Sequence, residues 1–141
     1  MWGMMVALAS GALMSLQGVF NTEVTKHSSI WASAGWVQLT AFITCVILYF
    51  VTGRGEIIGM FSMDRKYMLL GGVMGAFITW TVIKSMDDLG PARATLLIVV
   101  TQILVSYFIE VFGLFGVEKA GFEWKKLIGA AVAIAGIVIF K

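Results

Sequence analysis

Five apolar runs take up almost the whole chain, at residues 2–24, 29–51, 67–86, 91–115 and 124–140. A helix needs about 17 to 25 apolar residues to cross a hydrocarbon core of roughly 30 Å, and each run supplies that length. The spacing predicts an all-α membrane protein of five transmembrane helices in a single domain, 1–141. Composition agrees. Hydrophobic residues make up 60% and charged ones 13%, with a mean hydropathy of +0.94, whereas a soluble domain carries about 25% charged residues.

The breaks between runs are short and polar. Residues 21–29 carry Glu23, Lys26 and His27; residues 53–66 carry Arg54, Gly55, Glu56, Asp64 and Arg65; residues 116–123 carry Glu118 and Lys119. Between the third and fourth runs stands Asp87-Asp88-Leu89-Gly90-Pro91. There glycine ends one helix, and the only proline starts the next at a position that needs no backbone N–H. None of these breaks has room for a soluble domain, so any binding or transport must be built from the helices.

Several chemistries are excluded. A net charge of +2, with basic residues scattered between apolar runs, gives no footprint for nucleic acid. Cys45 is the only cysteine and His27 the only histidine, which rules out a disulfide framework, a thiolate or His-rich metal site and a His-dependent triad. No enzyme and no cofactor are expected, because nucleophile, base and orienting group cannot be assembled from this inventory. The first run has no basic region before it and no small-residue cleavage signal, so it is expected to be a retained helix.

With five spans the termini face opposite sides. The side of the N-terminus collects six Lys/Arg, namely Arg54, Arg65, Lys66, Lys119, Lys125 and Lys126, and the other collects four, Lys26, Lys84, Arg93 and Lys141. A difference of two is small for the rule that sets orientation, so either insertion both ways or a single orientation with the N-terminus in the cytoplasm fits. Aromatics near run ends support the register: Trp2, Tyr49, Tyr67 and Trp124 on one side, Trp31 and Trp80 on the other. Trp36 lies deeper. Alternating access ordinarily uses two inverted repeats around a site near the midplane, and no internal repeat is visible here. The missing half is expected to be a second chain in inverted orientation.

The candidate pathway is polar and lies on helix faces. Glu110 is the only carboxylate well inside a long run, and Thr95, Gln102, Ser106 and Glu110 share one stripe of the fourth run. A charge in lipid calls for a partner or a pathway. Ser10, Gln17 and Asn21 share a face of the first run. In an antiparallel pair of subunits the two polar ends reach similar depth, so Gln17 and Asn21 of one subunit are expected to approach Glu110 of its inverted neighbour. Glu110 could then exchange a proton for a cationic substrate. Two plainer readings compete: the amides act as interhelical glue within one subunit, and Glu110, about 7 Å from the end of its run at 1.5 Å per residue, snorkels to the interface.

Trp36, Thr40 and Thr44 recur every four residues on the second run, and Trp80 and Lys84 on the third. An aromatic face near a carboxylate suits an organic cation or an aromatic metabolite, although such a Trp also serves packing or the interfacial belt. Gly71 and Gly75 form a GxxxG, and Gly129, Ala133 and Gly136 form a small-residue seam. The seam makes the fifth helix a candidate pairing surface.

The ordered set Leu16-Gln17-Gly18-Val19-Phe20-Asn21, Gly90-Pro91-Ala92-Arg93-Ala94-Thr95, Thr101-Gln102, Glu110-Val111-Phe112-Gly113-Leu114, Leu127-Ile128-Gly129 and Ala135-Gly136 resembles the YdcZ family of small bacterial inner-membrane proteins. That family belongs to the drug/metabolite transporter superfamily, alongside the four-helix small multidrug resistance exporters. The resemblance spans essentially the whole chain. It implies a five-helix half of a ten-helix transporter, assembled as an antiparallel homodimer, a heterodimer of oppositely inserted paralogues or a fused repeat. The family usually carries Asp where this chain has Glu110, and Gln17 stands in the polar stretch where the four-helix exporters carry their proton-coupling carboxylate. The expected function is a subunit of a secondary transporter that moves a small organic solute across the inner membrane, with proton coupling through Glu110. The competing expectation is a non-transporting scaffold or accessory subunit whose polar stripes only hold helices together.

Overall fold

The computed structural model describes residues 1–53, 55 and 57–139. Arg54 and Lys141, counted above for charge bias, and Phe140, the end of the fifth run, lie outside the described residues, as does Glu56.

All regular structure among the described residues is helical. In chain order the helices are α1 (Trp2–Lys26), α2 (Ile30–Thr52), a single short turn α3 (Ile57–Phe61), α4 (Gly71–Leu89), α5 (Pro91–Phe112) and α6 (Trp124–Ile139), with 3₁₀ segments at Lys66–Leu70 and Leu114–Gly116. Among the described residues four helical stretches are long and apolar enough to cross a membrane: Trp2–Lys26, Ile30–Thr52, Lys66–Leu89 and Pro91–Phe112. The described part of α6 is 16 residues, about 24 Å at 1.5 Å per residue.

Local chemistry sets the helix ends, and several differ from the expected ones. The Ser29 hydroxyl accepts the Ala32 N–H at 3.2 Å and caps α2. α4 runs on through Asp87 and Asp88 to Leu89, and Gly90 alone, at φ 81°, turns the chain into Pro91 at the start of α5. α5 stops at Phe112, three residues before the expected 115, because Gly113 adopts the left-handed conformation at φ 64°, ψ 38°, a common glycine stop signal.

The described chain divides into two compact units, Met1–Asp87 and Asp88–Lys141. In the first, α1 and α2 pack as neighbours and the Ser33 hydroxyl donates to the Asn21 carbonyl across them at 2.9 Å. Gly18 takes the end of the Met86 side chain: a Cβ there would stand 2.5 Å from Met86 Cε and 3.4 Å from Val82 Cγ1, so the end of Met86 would have to shift for any other residue. Gly75 of the GxxxG likewise faces the Gln38 amide, with a Cβ 3.1 Å from its Nε2, while Gly71 stands in open space. In the second unit α5 packs on α6, where Ala130 is buried.

Most apolar side chains have no protein cover. Within the most apolar stretch of each of the four spans only 6% of residues are buried, so lipid or another chain must cover these faces. Several threonine hydroxyls inside the spans bond to their own helix, as with Thr40 to the Trp36 carbonyl at 2.9 Å and Thr44 to the Thr40 carbonyl at 2.8 Å. Turned inward this way, they present no unsatisfied group to hydrocarbon.

Candidate functional site

A groove of about 490 Å³ runs between α5 and α6. Gln102, Ser106 and Glu110 line it from α5, with Tyr107 beside them, and Lys126 and Gly129 line it from α6. Three of the four residues of the fourth-run stripe thus come together. Thr95, two helical turns earlier, is half-buried and lies off the groove.

Lys126 is the feature that sequence reasoning misses. Its Nζ stands 3.1 Å from Glu110 Oε2, 3.8 Å from Glu123 Oε1 and 5.6 Å from the centre of the Tyr107 ring. One ammonium therefore serves two carboxylates and an aromatic face. The sequence does hold a signal for it: with α5 ending at Phe112 and α6 starting at Trp124, Glu110 and Lys126 lie equally far from the connection, and in an antiparallel hairpin such residues meet at one depth. Charge counting alone gives Lys126 only an orienting role. The early stop of α5 also puts Glu110 on its last turn, shallower than expected from a run ending at 115.

The connection itself is bound to α5. The Glu110 carbonyl accepts N–H bonds from Gly113 at 3.3 Å and from Ala120 at 2.9 Å. The Tyr107 hydroxyl accepts the Glu123 N–H at 2.8 Å and donates to the Glu123 carbonyl at 3.1 Å. These bonds hold Glu123 beside the ion pair.

Both charges sit against their helix dipoles. A carboxylate on the last turn of α5 meets the negative end of that helix, and an ammonium on the first turn of α6 meets the positive end, and both arrangements are unfavourable. Pairing the two charges offsets this. The side chains of Lys126 and Glu110 are 41% and 44% exposed, so the pair remains accessible from the groove.

The first-run residues separate in role. Gln17 and Ser10 line a second groove of about 480 Å³ on α1, with Val6, Leu13 and Met14. Asn21 is buried, and its carbonyl accepts the Ser33 and Thr25 hydroxyls, so its backbone ties α1 to α2. Trp36 is 62% exposed on α2. Trp80 stacks on Trp31, with ring centroids 6.1 Å apart at 21°, as two belt residues at one depth do. No group of His, Cys, Asp and Glu among the described residues could hold a metal ion.

A family model described as "Putative inner membrane exporter, YdcZ" matches residues 2–139. The chain belongs to the YdcZ family. It is thereby a multi-pass inner-membrane protein of the drug/metabolite transporter superfamily, with a transporter-like role. No curated protein and no solved structure matches it. In this YdcZ protein the α5–α6 groove is lined by an ion-paired carboxylate, Glu110, together with its partner Lys126.

Proposed function

We propose that the chain is one half of a secondary transporter that moves a small organic solute across the bacterial inner membrane by alternating access, with the α5–α6 groove as its solute site and Glu110 as its coupling carboxylate. Family membership supports the transport class. The observation that carries the reading is the groove, where Gln102, Ser106 and Glu110 line one wall and Lys126 of the other helix reaches Glu110 amid largely apolar surroundings. The other half is a second five-helix subunit in inverted orientation, a copy of this chain or a paralogue, with α6 as a fifth span. Open space at Gly136, where a Cβ would meet nothing within 4 Å, leaves α6 a place for close helix pairing. In such a pair Gln17 and Thr95, with Trp36 and Trp80, are further candidates for contact with solute.

Asn21 favours the scaffold reading for α1, since its backbone serves packing. The two readings separate in proteoliposomes carrying a trapped pH dye and challenged with a panel of small organic cations and neutral solutes. A transporter gives solute-driven proton movement that Glu110→Gln abolishes. A scaffold gives none, and full proton movement in Glu110→Gln would remove the carboxylate from the coupling role.

A further inference from the structure

We infer that Lys126 is a built-in competitor for the solute: a tethered ammonium that occupies Glu110 in the empty carrier and moves to Glu123 when a small organic cation takes its place. The inference rests on the transporter reading, names the solute class for the same groove, and makes the lysine, beside the proton, a second species that a cation displaces from Glu110.

Three observations carry it. Lys126 reaches Glu110 at 3.1 Å and Glu123 at 3.8 Å, so transfer between carboxylates needs a shift of the ammonium and no rearrangement of the backbone. Glu123 is held in reach by the two hydrogen bonds of its backbone to Tyr107, and these do not involve its carboxylate. The vacated place at Glu110 opens onto the groove between Ser106, Gln102 and the Tyr107 ring, where a quaternary or primary ammonium would find a carboxylate and an aromatic face together.

Charge conservation gives the arrangement its use. Glu110, Glu123 and Lys126 sum to one negative charge with all three ionised. With the lysine on Glu110, the carboxylate in the groove is neutralised. With a monovalent cation bound there, both carboxylates are neutralised, one by solute and one by Lys126. Neither state leaves Glu110 as an uncompensated charge, which would be costly in a membrane segment. A neutral or anionic solute has no such exchange to drive.

The test is direct binding of benzyltrimethylammonium, with benzyl alcohol as the uncharged control, to the full chain in lipid nanodiscs. Removing the competitor with Lys126→Met is expected to tighten cation binding about two- to fivefold, the range set by the strength of a partly exposed ion pair. Lys126→Arg keeps the competitor and should bind as weakly as the native chain. Glu123→Gln removes the alternative berth and should weaken binding in the native background while leaving Lys126→Met unchanged. A purely structural lysine would not produce that dependence. Should Lys126→Met misfold, Lys126→Gln and the Glu123→Gln comparison still decide the matter. Unchanged or weaker binding in Lys126→Met, with Glu110→Gln still abolishing it, overturns the competitor and leaves the transporter reading intact. No cation binding in any variant overturns the inference as well, and the proton-movement assay then judges the transporter reading by itself.

Discussion

Gly113 sets the end of α5, and Tyr107 anchors the connection to α6. At φ 64° a side chain is strained, and a Cβ on Gly113 would also press on Lys119 Cβ at 3.2 Å. Gly113→Ala is therefore expected to cost about 1 kcal/mol or more, read as a lower midpoint in denaturing-detergent titration. Tyr107→Phe removes both bonds that its hydroxyl makes to Glu123. Hydrogen exchange at residues 120–123 should rise at least severalfold, each lost bond being worth about 0.5–1.5 kcal/mol. Unchanged protection there would mean that the connection is held by something other than Tyr107.

The α5–α6 hairpin has charges placed against both helix dipoles, which local stability alone would not favour. Exchanging them, with Glu110→Lys and Lys126→Glu together, preserves the ion pair and aligns each charge with its own helix. The double variant restores the pair and suits both dipoles but loses the Lys126–Glu123 contact, so it should be more stable than either reversal alone. Transport should nevertheless be lost in the double variant, because the groove then presents a cation on α5. Retained transport would reduce the pair to a staple. In the other unit, Gly18→Val should displace Met86 and cost about 1–3 kcal/mol by overpacking, whereas Gly71→Ala, in open space, should be neutral. The GxxxG motif alone suggests no difference between its two glycines. Which of them is approached depends on where Gln38 falls on α2, and spacing along α4 does not contain that.

For the molecule as a whole, the features legible in the sequence are those dictated by solvent and periodicity. Run lengths locate the helices because lipid admits so few structures, and the stripe on the fourth run predicts that Gln102, Ser106 and Glu110 share a face, as they do along the groove. The exact ends are less legible, since Phe112 and Phe115 are equally apolar and only the left-handed turn at Gly113 separates them. Lys126 escapes such a reading because a stripe describes one helix, and its pairing with Glu110 belongs to two. The exposed apolar faces of the spans leave the inverted dimer as the central claim, and the Lys/Arg difference of two makes a second copy of the chain its first candidate partner. Orientation tests this most directly, with C-terminal reporters active only in the cytoplasm or only in the periplasm, fused to the full chain expressed alone. Activity from both reporters is the predicted result, since the chain would insert both ways. Activity from only one would contradict self-pairing and require an oppositely inserted paralogue.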